Sequence, residues 1–346
     1  MIKYIGSKRT LVPRLADIIS ALRPASVLDL FSGTSRVGHA LKRAGLRVLA
    51  NDHNAYAAAL ARCYVQADRD DLLADATRLL EELQRLPGEP GYFTDTFCVK
   101  SRFFQPKNGA RVDAIREAIA RKSLDPELEA VLLVALMEAA DRVDSTTGVQ
   151  MAYLKDWAPR AHNDLELRLP DILPRARHGK GAAHQLDALA AASTLEADVA
   201  YLDPPYNQHK YLGNYHVWES LVLWDKPGVY GTACKRLDCR ERTSAFNSKP
   251  EAPLAMQAVI DRVRARHLVV SFNNEGYFTR AAIEAMLRAR GEVLVLEHDF
   301  PRYVGARIGI YNPQGEKVGS VGHLRNTEYI FVVSDDPAAL RRLAAA

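Results

Sequence analysis

The stretch Asp203-Pro204-Pro205-Tyr206 contains the residue types that most directly suggest chemistry. It follows the apolar run "DVAYL", which predicts a buried strand that ends at the acid. Because proline lacks an N–H donor and restricts its neighbours, two prolines in succession make a stiff loop. The loop is either a plain strand end or a device that holds a carboxylate, a carbonyl oxygen and an aromatic ring in fixed positions.

A second candidate is the stretch "DLFSGTSRVG" at 29–38, where an apolar strand ends at an acid and a glycine turn leads into a helical pattern. Gly33 would let the backbone approach a ligand closely. The stretch is not a P-loop, because His39 stands where that motif has its lysine, and it is not a GxGxxG motif. A dinucleotide is therefore disfavoured.

Asp52 ends the next apolar strand, about 20 residues after the first acid. An acid at this place can accept hydrogen bonds from a ribose, or it can cap the helix that starts near Asn54. A ligand with a ribose but no phosphate suits a glycine turn without a phosphate-binding lysine. S-adenosylmethionine is such a ligand.

Both motifs require strands that position them. A strand at 26–31, a glycine turn, a helix and a strand at 46–52 predict a βαβ unit, whose sites lie at the carboxyl ends of the parallel strands. Further strands are predicted at 198–203, 267–272, 292–298 and 327–333, the last in a hairpin with 306–311 across the turn "NPQG".

The pattern changes between these halves. Residues 68–144 show almost continuous helical spacing of apolar residues, with breaks at "PGEPG" and around Asn108-Gly109. We therefore predict a mainly helical module at 65–181, inserted into a sheet-based α/β domain formed by 1–64 and 182–346.

Composition limits the class of protein. The chain has 346 residues, 48% of them hydrophobic, a net charge of +4 and four scattered cysteines. No apolar run approaches the roughly 20 residues needed to span a bilayer, and the N-terminus lacks a secretory h-region. The cysteines lack zinc-site spacing. We expect a cytoplasmic protein with reduced thiols, for which an anionic partner is permitted but not required.

Six stretches together resemble the bacterial DNA adenine-N6 methyltransferases, specifically the group with a recognition region between cofactor half and catalytic half. They are "KYIGSK" (3–8), "DLFSGTSRVG", "NDHN" (51–54), "DPPYN" (203–207), "VVSFNNEG" (269–276) and "NTEYIFVV" (326–333). The resemblance implies a Rossmann-like class I methyltransferase fold with a mixed, mostly parallel sheet. It also implies S-adenosylmethionine as cofactor and double-stranded DNA as partner, with a cognate restriction endonuclease as a further candidate partner.

The resemblance assigns roles to individual residues. Tyr4 would pack near the cofactor, Lys8 would face its methionine carboxylate, and Asp52 would hold its ribose. Asp187 corresponds loosely to an acid that contacts the cofactor's adenine, and an acid at a helix N-terminus is the equal alternative. The residues implied in cofactor binding are Tyr4, Lys8, Asp29, Phe31, Ser32, Gly33, Thr34, Asp52, Asp187 and Asp203.

The resemblance also implies that the stiff loop at 203–206 is catalytic. The exocyclic amine of adenine is a poor nucleophile, since its lone pair is delocalised into the ring. Asp203 and the carbonyl of Pro204 would accept from its N–H groups, Pro205 would stiffen the loop, and Tyr206 would stack on the extruded base. The sulfonium supplies an activated methyl group, so no metal is expected.

A basic segment follows this loop. Residues 226–249 contain six cations and two acids, and their proline, glycine and serine residues indicate a mobile loop near the site. We predict phosphate contacts from it, with a merely solvated loop as the alternative. The candidate DNA-binding residues are Lys235, Arg236, Arg240 and Arg242.

Three other functions compete with this one. A DNA cytosine-N4 methyltransferase shares the fold but more often has serine in place of Asp203. A methyltransferase of RNA or of a protein amide is disfavoured by "YIGSK" and by the helical insert. A non-catalytic nucleic-acid-binding relic is disfavoured by the intact DPPY loop.

Overall fold

The computed structural model describes residues 1–6, 8–205, 207–208, 210–274, 276–301, 310–311, 317–319 and 325–345. Two predictions from the sequence therefore lie partly or wholly outside the described residues. One is the stacking role of Tyr206, and the other is most of the segment 306–311.

Within the described residues, one mixed sheet has seven strands. These are β1 (Ser26–Asp29), β2 (Arg47–Asn51), β3 (Ala182–His184), β4 (Glu196–Leu202), β7 (Arg264–Asn273), β8 (Glu292–Pro301) and β11 (Arg325–Ser334). Their order is β3-β2-β1-β4-β7-β11-β8. The first five strands in this order are parallel to one another, while β11 is antiparallel to β7 and β8. The predicted mixed, mostly parallel α/β fold is confirmed.

Two layers of helices enclose the sheet, because successive residues of the central strands face opposite sides. One layer packs on Val27, Val48 and Val199, and the other packs on Leu28, Leu49 and Ala200. The helices of the two layers are α1 (Val12–Ala21), α2 (Arg36–Arg43) and α13 (Pro337–Ala344) on the first side, and α8 (Ala188–Thr194), α11 (Ala252–Arg262) and α12 (Arg280–Arg288) on the second.

The strand order creates a cleft beside β1. The chain passes from β1 to β2 on one side, and it later returns to place β4 on the other side. Loops that leave the carboxyl ends of β1 and β4 therefore diverge, which is where open α/β sheets bind their ligands. Asp29 ends β1 and Asp203 directly follows β4, so both acids lie at this cleft.

A third group of helices forms its own apolar core. It comprises α3 (Ala55–Ala61), α4 (Arg69–Gln84), α5 (Tyr92–Thr94), α6 (Pro106–Arg121), α7 (Pro126–Arg142), α9 (Tyr211–Asn214) and α10 (His216–Leu223). The helices α4 to α7 lie in the predicted insert, whereas α3, α9 and α10 flank the cleft. One continuous core thus joins the insert to the cleft.

The expected break at Asn108-Gly109 is wrong, since α6 begins at Pro106 and runs through both residues. Proline suits the first turn of a helix. The glycine is needed for packing: a Cβ atom at Gly109 would lie 2.3 Å from the Sγ of Cys98.

The expected hairpin between 327–333 and 306–311 is also wrong. Both edges of β11 pair over residues 328–333, with β7 and with β8. Within the described part of the chain, β9 (Ile310–Tyr311) pairs with β10 (Lys317–Gly319) instead.

None of the described helices combines the length and the apolar composition that a membrane crossing requires.

Candidate active site

The cleft at the strand ends contains a cavity of about 200 Å³. Every residue that the sequence assigned to cofactor binding lines it, and so does Pro205, while Pro204 is buried beside them. The residues brought together are Tyr4, Lys8, Asp29, Phe31, Ser32, Gly33, Thr34, Asp52, Asp187 and Asp203. Segments far apart in the sequence thus share one cavity.

The glycine turn is fixed by the next strand. Gly33 has φ of +50°, and its N–H donates to Oδ2 of Asp52 over 2.9 Å. A Cβ atom at this position would lie 3.4 Å from the ring of Tyr4, so the N-terminal segment packs directly on the turn. Asp52 also accepts from the N–H of Asn54 at 3.0 Å. Burial raises the pKa of Asp52, although these two amides oppose the rise.

The segment from Asp29 to Arg36 contains several buried polar groups without partners. Both carboxylate oxygens of Asp29, the hydroxyls of Ser32 and Ser35, and Nε of Arg36 lack a hydrogen-bond partner within the described structure. Burial raises the pKa of Asp29 to about 8, and the charges of Asp203 and Asp52 add to the effect. The N–H of Gly38, which lies nearby without meeting hydrogen-bond geometry, opposes the rise. Unpaired buried groups are costly in a folded protein, so this concentration favours a ligand site.

Asp203 is held by a network that spans the cleft. Its Oδ1 accepts from Lys8 Nζ at 3.1 Å and from the Ser271 hydroxyl at 3.1 Å. Lys8 also bonds Glu328, which is buried in β11. Tyr201 and Ser271 share a hydroxyl–hydroxyl hydrogen bond of 2.8 Å.

Two carboxylates and one ammonium group give this network a net charge of −1. Burial disfavours the ammonium form of Lys8, but Asp203 and Glu328 outweigh that effect and raise the pKa of Lys8. One cation therefore serves two carboxylates. This arrangement retains negative charge at Asp203 without leaving its carboxylate unpaired.

Stacked tyrosines connect the N-terminal segment to the residues after the DPPY loop. The ring of Tyr4 stacks on Tyr215 with centroids 4.5 Å apart and on Tyr211 at 5.3 Å. Its hydroxyl lies 3.2 Å from that of Tyr56. The N–H of Ile5 donates to the Tyr215 hydroxyl at 2.6 Å. These contacts explain how a segment at the start of the chain reaches the cavity.

Asp187 caps a helix N-terminus, which was the alternative prediction for this residue. It is the N-cap of α8 and accepts from the Leu189 N–H at 2.9 Å. It also lines the cavity, so the capping bond does not remove it from reach of a ligand. Its proposed contact with an adenine stays a prediction.

The basic segment 226–249 is folded, contrary to the mobile loop that its composition indicated. It contains β5 (Val229–Tyr230) paired with β6 (Lys235–Arg236), followed by two short 3₁₀ turns. Its polar residues therefore have specific partners.

The phosphate-binding role predicted for Arg236 is wrong for this structure. Its side chain is 3% exposed, and it forms two bonds of 2.7 Å with Asp225 and two of 3.1 Å with Asp238. Because this buried guanidinium is already bonded to two carboxylates, it is not available to bind a phosphate.

Arg242 forms part of the cavity wall instead of an open DNA surface. It bonds Glu219 at 2.7 Å, and the other oxygen of Glu219 accepts from the Tyr56 N–H at 3.0 Å. The predicted DNA-binding residues that stay accessible are Arg240, which lies over the ring of Tyr230, and Lys235.

Sequence reasoning missed four residues of the site. Glu328 lies inside a strand pattern, Ser271 in an apolar run, Glu219 in a helix and Arg36 in a charged helical stretch. The resemblance of "VVSFNNEG" and "NTEYIFVV" to family motifs was the available signal for Ser271 and Glu328. The stretch "DLFSGTSRVG" was the same kind of signal for Arg36, whereas no local signal distinguished Glu219.

Comparison with known proteins gives a consistent result. Residues 4–282 match the model of the D12 class N6 adenine-specific DNA methyltransferase family. The chain is 31% identical over 308 residues to the type II methyltransferase M.FokI of Planomicrobium okeanokoites, covering 84% of this chain and 47% of that protein. It is 30% identical over 313 residues to the type II methyltransferase M.NlaIII of Neisseria lactamica, covering 87% and 92%.

A third relative is the modification methylase StsI of Streptococcus sanguinis, 28% identical over 303 residues, with 83% of this chain and 46% of that protein covered. The chain thus spans about half the length of M.FokI and StsI, and nearly the whole of M.NlaIII.

Proposed function

Because the chain belongs to the D12 class of N6 adenine-specific DNA methyltransferases, we propose that it methylates N6 of an adenine within a specific DNA sequence, using S-adenosylmethionine. The observation that carries the proposal is the position of Asp203. This acid follows β4, and it lines the same cavity as the glycine turn and Asp52. Methyl donor and acceptor amine could therefore meet at one carboxylate. The cytosine-N4 alternative is disfavoured by the adenine-specific family match.

The residues of the cavity suit S-adenosylmethionine. The unpaired carboxylate of Asp29 is complementary to an ammonium group, and the carboxylate of Asp52 can accept from ribose hydroxyls in addition to its two amides. Phe31 and Phe246 meet edge to face at 5.1 Å and give the cavity an apolar side. When bound, the cofactor supplies a methyl group activated by a sulfonium.

The chain's own residues would make the amine a better nucleophile. Asp203 and the Pro204 carbonyl accept from the two N–H groups of the target amine, which favours a pyramidal nitrogen. Positive charge then develops on that nitrogen, and the carboxylate stabilises it. Lys8 and Ser271 hold Asp203 in place before the base arrives, so little reorganisation is needed during the reaction.

Recognition of DNA is assigned to the helical segment 65–181 and to Tyr206, which would stack on the extruded base. The continuous core between this segment and the helices around the cleft supports the assignment, because it fixes the one relative to the other. A cognate restriction endonuclease is proposed as a partner, since relatives are named as type II methyltransferases.

The test is single-turnover transfer of labelled methyl from S-adenosylmethionine to duplex DNA, followed by nucleoside analysis. We expect N6-methyladenine as the product. The variant Asp203→Ala should lose a factor of about 10²–10³ in the transfer rate, because it removes charge stabilisation that matters only in the transition state.

A matched control is Asp261→Asn, an exposed acid of α11 that bonds only Gln257 among the described residues, and it should react at the wild-type rate. Wild-type transfer by Asp203→Ala would refute the mechanism. N4-methylcytosine as product would transfer the assignment to the alternative.

A further inference from the structure

We propose that Arg36, and not Lys8, binds the α-carboxylate of the cofactor's methionine portion. The inference rests on the proposed function, because it presupposes an amino-acid-bearing cofactor in the cavity. It replaces the role that the family resemblance implied for Lys8.

Lys8 already forms ion pairs within the cleft. Its ammonium group bonds both Asp203 and Glu328, and the side chains of Lys8 and Glu328 are 10% and 4% exposed. If Lys8 turned to a ligand carboxylate, it would leave two acids in a buried site without their shared cation. Removing one partner from a buried ionic cluster is strongly unfavourable.

Arg36 is in the opposite situation. It lines the cavity, and Nη2 donates to the Ile2 carbonyl at 3.3 Å, but its Nε is buried and has no partner within the described structure. No carboxylate of the described residues lies within ion-pair distance of Arg36. Burial and the positive charge of Arg9 lower the pKa of Arg36, despite attraction from the more distant Glu138 and Asp141. This guanidinium therefore lacks an anion.

Two neighbouring features favour a carboxylate at this place. Ser32 is 8% exposed and lines the cavity, and its hydroxyl has no partner among the described residues. Helix α2 begins at Arg36, and the N–H groups at a helix N-terminus favour anions.

Asp29 completes the complementarity. Its unpaired carboxylate lines the same cavity and suits the ammonium group of an amino acid. A donor set around Arg36 together with this acid matches both charges of the methionine portion. Neither group would remain unpaired once the ligand is bound.

The experiment compares two ligands by titration calorimetry: S-adenosylmethionine and its decarboxylated form, which lacks only the carboxylate. Wild type should bind the first about 10–100-fold more tightly, as expected for charge-assisted hydrogen bonds in a buried site. Arg36→Met should reduce this preference to roughly threefold or less, and Arg36→Lys should retain part of it.

Two controls separate a specific effect from a general one. Arg43→Met removes an exposed arginine of the same helix, paired with Asp171, and should keep the wild-type preference. Lys8→Met should change the affinities for both ligands by a similar factor, since Lys8 acts on Asp203 and not on the carboxylate. Thermal melts verify that each variant is folded.

An unchanged preference in Arg36→Met, or a collapse in Lys8→Met instead, would overturn the inference while the proposed function stands. If Arg36→Met kept its ligand preference but reduced the salt dependence of DNA binding, the anion would be a DNA phosphate and the inference would be wrong. Failure of the folded wild type to bind S-adenosylmethionine at all would overturn the proposed function, and this inference with it.

Discussion

The segment 29–36 and the segment 226–249 differ in how their polar groups are paired. The first has one acid and one arginine, yet it contains five of the eight buried side-chain atoms that lack a hydrogen-bond partner in the described structure. The second carries six cations, and three of them are bound to carboxylates. The segment with few charges is therefore the one whose buried polar groups lack partners in the described structure.

The difference shows that the charge of a segment does not measure what it can bind. Lys226, Arg236 and Arg242 are neutralised by Glu117, Asp225, Asp238 and Glu219, three of which lie outside the segment. In the turn at 29–36, by contrast, five side-chain atoms are buried without a hydrogen-bond partner in the described structure. A ligand that supplies the missing partners gains the full value of those hydrogen bonds.

The largest effect is expected from the unpaired acid of the first segment. The folded pKa of Asp29 is raised to about 8 by burial and by neighbouring acids, so the folded state binds a proton that the unfolded state releases near pH 4. Without cofactor, the contribution of Asp29 to stability should therefore be largest at low pH and should fall as pH rises to 8, by at most about 1.4 kcal/mol per pH unit.

Asp29→Asn should flatten this decline in urea unfolding measured between pH 5 and pH 8. Asp198→Asn is the matched control, because its acid has a lowered pKa and accepts from Ala25 and Ser26 amides. It should reduce stability about equally across this range, since Asp198 is ionised throughout. An equal slope in wild type and Asp29→Asn would show that Asp29 does not titrate here.

The next effect concerns the paired arginine of the second segment. Arg236→Met should destabilise the protein by about 2–3 kcal/mol, below the usual range for a broken buried pair because its carboxylates are partly exposed. Arg240→Met, which removes an exposed arginine from the same segment, should change the free energy of unfolding by less than about 1 kcal/mol. Equal effects in urea unfolding would contradict the distinction between the two.

The two segments also differ in how well the sequence predicted their residues. The turn at 29–34, Asp52 and Asp203 could be located because acids and glycines at strand ends have a local signature, and parallel strands bring those ends together. Glu328 has no such local signature, because its partner Lys8 lies 320 positions away, and only the family resemblance pointed to it. An acid inside a strand normally indicates a solvated face.

Arg236 was misassigned for a related reason. Its exposed or buried state depends on Asp225, 11 positions earlier, and on a two-residue hairpin that no periodicity reveals. The strand order failed at 327–333 because a plausible turn favoured a local partner, whereas apolar burial on both faces favours pairing with β7 and β8. Local signals therefore located strand ends well and long-range pairing poorly.

The smallest effect is expected from the cations of the second segment that are left for DNA. Lys235 and Arg240 form no ion pair with any described residue, and Arg240 rests on Tyr230 at 4.0 Å. If each contacts one phosphate, the double variant Lys235→Met/Arg240→Met should lower the slope of log affinity against log salt by about 0.9 per contact. Binding should weaken similarly for target and non-target duplexes, because phosphate contacts carry no sequence information.

Fluorescence anisotropy from low to moderate salt measures both the slope and the affinities for the two duplexes. The control is Arg288→Met, which removes an exposed arginine of α12 paired with Glu284 and should leave the slope unchanged. An unchanged slope in the double variant would place the DNA elsewhere, and a loss confined to the target sequence would make these residues readers of bases.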